Sequence, residues 1–169
     1  SPTCAKIEIV EPQLRLVKSA PGEMLQCDRI PVKYTVTNEG DGYACDLRIS
    51  ERFDENLMIA EGENQVELSI DSLGPGKSEE FEIMLDASKT GEYTSGATLT
   101  SRTSGEVESN LTTTKVTIPR LALAQSGPDR EYLGRSVTYE ITISNQGDGP
   151  AKDTVLEASI PEEERFQEA

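Results

Sequence analysis

Histidine and tryptophan are absent from this 169-residue chain, cysteine occurs three times, and aromatic residues make up only 5%. Without histidine there is no Ser-His-Asp or Cys-His arrangement and no zinc site with an imidazole ligand. Three scattered cysteines do not build a four-thiolate site. No apolar run reaches the roughly 18 residues of a membrane-spanning helix, so no transmembrane segment is expected. Basic residues are also few: 16 Lys+Arg stand against 31 Asp+Glu, a net charge of −15. Such a surface repels phosphate backbones, which argues against nucleic acid as a partner, and it favours cations or basic partners. Glycine pairs sit in hairpin-like turns rather than ahead of a helix, so no phosphate-binding loop is expected. Glycoside hydrolysis asks only for two carboxylates, but nothing in the sequence locates a cleft. The chain is therefore expected not to be an enzyme and to need no cofactor. It begins at Ser1 with no visible signal peptide, so a processed product or excised fragment is expected.

What the sequence does contain is a repetition. Asn38-Glu-Gly-Asp-Gly42 returns as Asn145-Gln-Gly-Asp-Gly149, each closing an alternating β-type run. Residues 12–46 align without gaps onto 119–153 at a shift of 107 residues. Identical pairs include Pro12/Pro119, Leu14/Leu121, Leu16/Leu123, Ser19/Ser126, Pro21/Pro128, Ala44/Ala151 and Asp46/Asp153. That period is too long for a solenoid unit and suits tandem β-sandwich domains.

The alternation predicts strands at 14–18, 30–37, 45–51, 66–70, 81–85, 93–100 and 107–118, with Ile30, Val32, Tyr34, Val36, Leu47 and Ile49 facing inward. Ala20-Pro21-Gly22 and Gly74-Pro75-Gly76 supply the intervening stops. The fold class is all-β: tandem immunoglobulin-like β-sandwich repeats, the second one truncated. Residues 1–11 are expected to be the end strand of a preceding repeat or a linker, 12–118 a complete repeat, and 119–169 the N-terminal half of a second. That half would expose Val137, Ile141, Ile143 and Leu156, which packing on the first repeat, pairing with another copy or completion by residues outside this fragment would cover. Completion is expected in the full-length protein and pairing of copies for this fragment.

The repeated turn has two readings. Asn38, Asp41 and Asp46 offer oxygens to calcium, but the acids and the twelfth-position Glu of an EF-hand loop are missing. Asn38, Gly40, Asp41 and Gly42, with Asn145, Gly147, Asp148 and Gly149, are more simply turn residues. Asn and Asp bond their own backbone and glycine supplies positive φ.

The stretch Leu16-Val-Lys-Ser-Ala-Pro-Gly-Glu23, the run from Cys27 to Asn38, and Gly40-x-Gly42 resemble a known bacterial repeat. Leu73-Gly-Pro-Gly-Lys-Ser78, Thr90-Gly-Glu-Tyr93 and Tyr132-Leu-Gly-Arg-Ser136 fit the same pattern. The chain is similar to the DUF11 conserved-repeat family, in the branch that includes the chlamydial large cysteine-rich outer-membrane protein. The resemblance implies Ig-like sandwiches in tandem on extracytoplasmic envelope, outer-membrane or secreted proteins, with neighbouring repeats and envelope proteins as partners. Disulfide cross-linking belongs to those relatives, whereas this chain has three cysteines. In a sandwich the approach to the first strand and the start of the third share an end, so Cys4 and Cys45 are the expected disulfide. Cys27, at the opposite end, is the expected spare thiol. The expected function is a structural spacer module; the alternative is an adhesion or ligand-binding module working through end loops or an open strand edge.

Overall fold

The computed structural model describes residues 7–60 and 62–159. It contains strands and no helix among these residues, and the chain divides into two compact units, Ser1–Ile118 and Pro119–Ala169.

In the first unit, β1 (Leu14–Ser19), β3 (Ile30–Asn38), β7 (Ser78–Ala87) and β5 (Leu57–Ile59) form one sheet in the order β1-β3-β7-β5. A second has the order β10-β9-β4-β6, from β4 (Ala44–Arg52), β6 (Gln65–Leu73), β9 (Thr98–Ser101) and β10 (Gly105–Glu108). A third joins β2 (Glu23–Leu25), β11 (Thr112–Thr117) and β8 (Gly91–Ser95), with β2 parallel to β11. This is an immunoglobulin-like β-sandwich.

Period-two alternation sets each strand's inner face. Ile30, Val32, Tyr34 and Val36 of β3 are all buried, and Leu16, Leu47, Ile49, Ile70, Leu85 and Leu99 meet them in one core. With no tryptophan, these branched side chains and Tyr34 fill the space between the sheets. Strands β4 and β6 break phase together: Ala44 and Leu47 both face inward, as do Ile70 and Leu73. Asp46, with φ of 52°, lies inside that break.

Three expectations about elements change. The strand expected at 93–100 is two, β8 and β9, divided at Gly96-Ala97. A Cβ on Gly96 would lie 2.9 Å from Leu111 Cδ2, and Ala97 N donates to Ser109 Oγ at 2.9 Å instead of to a strand. The strand expected at 107–118 is likewise β10 and β11, divided at 109–111. There Asn110 acts as a one-residue strand: Lys18 N donates to its Oδ1 at 2.9 Å and its Nδ2 donates to Lys18 O at 2.8 Å. Residues 7–13 form no strand, with Ile7 and Ile9 exposed.

In the second unit β12 (Leu121–Ser126) pairs antiparallel with β13 (Glu140–Asn145). Leu121 opposes Asn145 and Leu123 opposes Ile143, matching Leu14 opposite Asn38 and Leu16 opposite Val36 at the same shift of 107 residues. Residues 151–159, the counterpart of β4, are assigned to no strand. In the first unit β4 lies between β6 and β9, and no such neighbours occur among the described residues of the second. Leu121, Leu123, Ile143 and Val155 are exposed there.

Candidate functional site

The repeated turn grips the chain that leads into each unit. Asn38 is fully buried and spends all of its carboxamide: Oδ1 accepts from Gln13 N at 3.2 Å and Gly40 N at 3.1 Å. Its Nδ2 donates to Gly42 O at 2.8 Å and Leu73 O at 3.0 Å. Asp41 Oδ1 accepts from Glu11 N at 2.7 Å, while Asp41 N and Gly42 N both donate to Glu11 O at 3.2 Å. The approach is close enough to require glycine, since a Cβ on Gly40 would stand 2.3 Å from Glu11 O and 2.4 Å from Gln13 N. The glycines therefore make room for the incoming backbone, a role beyond turning the chain.

The second copy reproduces the device. Arg120 N donates to Asn145 Oδ1 at 3.0 Å, Gly147 N to the same oxygen at 3.0 Å, and Asn145 Nδ2 to Gly149 O at 2.7 Å. Gln146 N donates to Arg120 O at 2.7 Å, as Glu39 N does to Gln13 O at 2.7 Å. Asp153 has φ of 50°, the counterpart of Asp46.

These bonds decide what the calcium candidates do. Asn38 holds two N–H groups, Asp41 holds Glu11, and Asp46 pairs with Arg102 at 3.0 Å. Among the described residues no group of three or more His, Cys, Asp or Glu side chains is placed to hold a metal. Cys45 is a half-buried free thiol and Cys27 an exposed one, while Cys4 lies outside the described residues.

Sequence reading missed the second constellation. Lys18 and Glu51 are both buried, with side chains 1% and 0% exposed, and form an ion pair inside the sandwich. Tyr34, also fully buried, donates its hydroxyl to Glu51 Oε2 at 2.6 Å. Lys18 Nζ further donates to Ser95 Oγ at 2.7 Å and Ser95 O at 3.2 Å, and stands 5.5 Å from the Phe53 ring centre. A cavity of about 10 Å³ lies beside them, lined by Lys18, Tyr93, Ser95, Thr112, Thr114 and neighbouring apolar residues that include Phe53. Burial, reinforced by the hydrogen bond to Glu51, raises the Tyr34 pKa far above the ordinary tyrosine range.

The signal for this cluster was strand phase. Lys18 shares a face with Leu14 and Leu16, and Glu51 with Leu47 and Ile49. Charged residues are rarely fully buried unless paired, so nothing in the sequence placed Lys18 and Glu51 on the inner faces of the strands expected at 14–18 and 45–51. At the 107-residue shift, Lys18, Tyr34 and Glu51 become Gln125, Ile141 and Ala158, so the second copy carries no member of the set.

Comparison with known proteins places this fold. The family model CARDB matches residues 11–113. The chain belongs to the CARDB family. Similar solved structures include the crystal structure of a Pyrococcus furiosus CARDB domain, determined in complex with di-metal ions. It is 14% identical, covers 66% of this chain and 98% of that one, and has a TM-score of 0.52. The solution NMR structure of a Pyrococcus furiosus CARDB domain gives 15% identity, 64% and 97% coverage, and a TM-score of 0.50. At these identities the likeness shows the fold. CARDB is a non-catalytic, β-rich domain family of surface or extracellular proteins. The family shown is thus CARDB, where the sequence motifs resembled DUF11 and its chlamydial branch; the Ig-like β-sandwich is common ground.

Proposed function

We propose that this CARDB chain is a structural spacer module of an extracytoplasmic protein in a bacterial cell envelope or on its surface. One observation carries the reading: the repeated motif is spent on the protein's own backbone. Asn38, Gly40, Asp41 and Gly42 hold residues 11–13, and Asn145 holds Arg120. Pinning the chain just ahead of β1 and β12 is what a spacer requires, since a loose joint transmits no orientation. The proline after each joint residue, Pro12 and Pro119, removes a donor and restricts φ there. The motif set of residues 16–42 further suggests a DUF11-type repeat within this setting. Neighbouring repeats, envelope proteins, and a second copy meeting the exposed Leu121, Leu123 and Ile143 are the partners this reading expects.

Exchange of the chain, within its parent protein, for an unrelated Ig-like segment of equal length tests the proposal. A spacer retains surface display and envelope integrity after the exchange; loss of both overturns the reading. Tyr43 favours a second reading, ligand binding through an end loop, because it is 67% exposed beside the turn. Tyr43→Ala then abolishes attachment to the ligand surface, whereas a spacer is unaffected.

A further inference from the structure

Lys18 and Glu51 sit on different sheets, β1 and β4, and meet where water is excluded. An amine and a carboxyl group held together in such a place have a reaction open to them besides ion pairing. We propose that Lys18 Nζ and Glu51 Cδ condense into an internal amide, a covalent bolt between the two sheets of the sandwich. The ammonium gives one proton to the carboxylate, the Nζ lone pair forms the N–C bond, and Oε1 departs as water with that proton and a second one from Nζ. Charge and atoms balance with no co-reactant: ammonium plus carboxylate becomes amide plus water.

The surroundings fit each stage. Tyr34 donates to Oε2 at 2.6 Å, which is the oxygen that gathers negative charge as the tetrahedral centre forms. Burial holds that hydroxyl protonated and ready to donate. Ser95 O and Oγ stand 3.2 and 2.7 Å from Nζ and orient its protons away from the attacking lone pair. The cavity of about 10 Å³ against Lys18 and Ser95 is of the size that takes one water.

The product also suits the site better than the reactants. Its carbonyl is Oε2, already facing the Tyr34 hydroxyl, and its N–H faces Ser95 O. Two buried charges disappear, and the one remaining N–H keeps Ser95 O as its acceptor while the Ser95 hydroxyl gives up its contact with Nζ. Effective concentration favours the reaction as well, because the strands hold both groups in contact continuously. The second copy, with Gln125, Ile141 and Ala158 at the three positions, has no equivalent.

Intact mass spectrometry of the denatured, reduced wild-type chain tests this directly. The expected mass is lower than the sequence mass by one water. Trypsin then yields a branched peptide in which residues 16–29 are joined to 49–52, with no cleavage after Lys18. A full sequence mass in folded protein kept for weeks overturns the proposal. So does a water loss mapped to Asp41-Gly42 or Asp148-Gly149, where an aspartate before glycine cyclises, with 16–18, 19–29 and 49–52 released as separate peptides. Lys18→Met is expected at its full sequence mass. Tyr34→Phe, which keeps the ring in the core, is expected to slow appearance of the branched form by on the order of a hundredfold. An unchanged rate in that variant removes Tyr34 from the reaction.

Discussion

Asn38 shows how much a single side chain carries here. Its carboxamide joins the start of β1, the turn and the end of β6 through four hydrogen bonds to backbone groups, with no exposed surface of its own. Asn38→Ala leaves buried donors and acceptors unsatisfied, and a loss of about 2–4 kcal/mol is expected in urea unfolding. Asn145→Ala is expected to have a smaller effect, since Asn145 is exposed. Tyr34 gives the second prediction at this scale. Its folded pKa is raised, so the folded state keeps the proton where the unfolded chain releases it, around 10.0. Stability from this group is thus complete below pH 10 and falls as pH rises beyond it, by about 1.4 kcal/mol per pH unit. Lys18 and Glu51 are the charged groups facing the hydroxyl, and Tyr34→Phe is expected to remove this part of the pH dependence. Thermal unfolding of both proteins across the alkaline range checks it. The turn residues were legible because Asn-x-Gly-Asp-Gly has local chemistry; their grip on residues 11–13 was not, because those partners lie about 25–30 positions away.

At the scale of elements, β1 is attached to the second sheet by a charge pair and by Asn110, not by a ladder. Removing one charge leaves the other buried alone. Lys18→Met or Glu51→Leu by itself is expected to cost about 3–5 kcal/mol. Measured against wild type in its ion-paired, uncondensed form, the double replacement is expected to recover most of it, as a well-packed apolar pair does. Urea unfolding of the three variants against wild type measures both. Strands with an apolar period sustained over five residues or more, β3, β4, β6 and β7, were legible from residues 30–37, 45–51, 66–70 and 81–85, which leave out the break shared by β4 and β6. Short β2 and β5 were not, since Glu23–Leu25 and Leu57–Ile59 are too brief to show a period. The copied hairpin keeps its register while exchanging its packing: Ala20 and Val32 become Gly127 and Tyr139. A Cβ on Gly127 would meet Tyr139 Cδ1 at 2.4 Å, so the small residue accommodates the larger ring.

For the whole molecule, the two units differ in how much apolar surface they bury. The first closes a core of eighteen buried apolar residues, whereas Leu121, Leu123, Ile141 and Ile143 of the second are exposed. Residues 1–118 alone are expected to unfold cooperatively at the midpoint of the first transition of the intact chain. Residues 119–169 alone are expected to show no cooperative transition, because a two-stranded hairpin is marginal in water. Differential scanning calorimetry of both fragments checks this.

The amino-acid sequence by itself determined the all-β class, the turn positions, the inner faces of the long strands and the repetition of residues 12–46 at 119–153. The first three follow from period-two alternation and from Asn, Asp, Gly and Pro at turns, which act within a few residues of one another. Only the tertiary structure decided the strand order, the division of β8 from β9 and of β10 from β11, and the meeting of Lys18, Tyr34 and Glu51. Each depends on groups far apart along the chain that come together when the two sheets close over a common core, where a charge is tolerated only beside its partner.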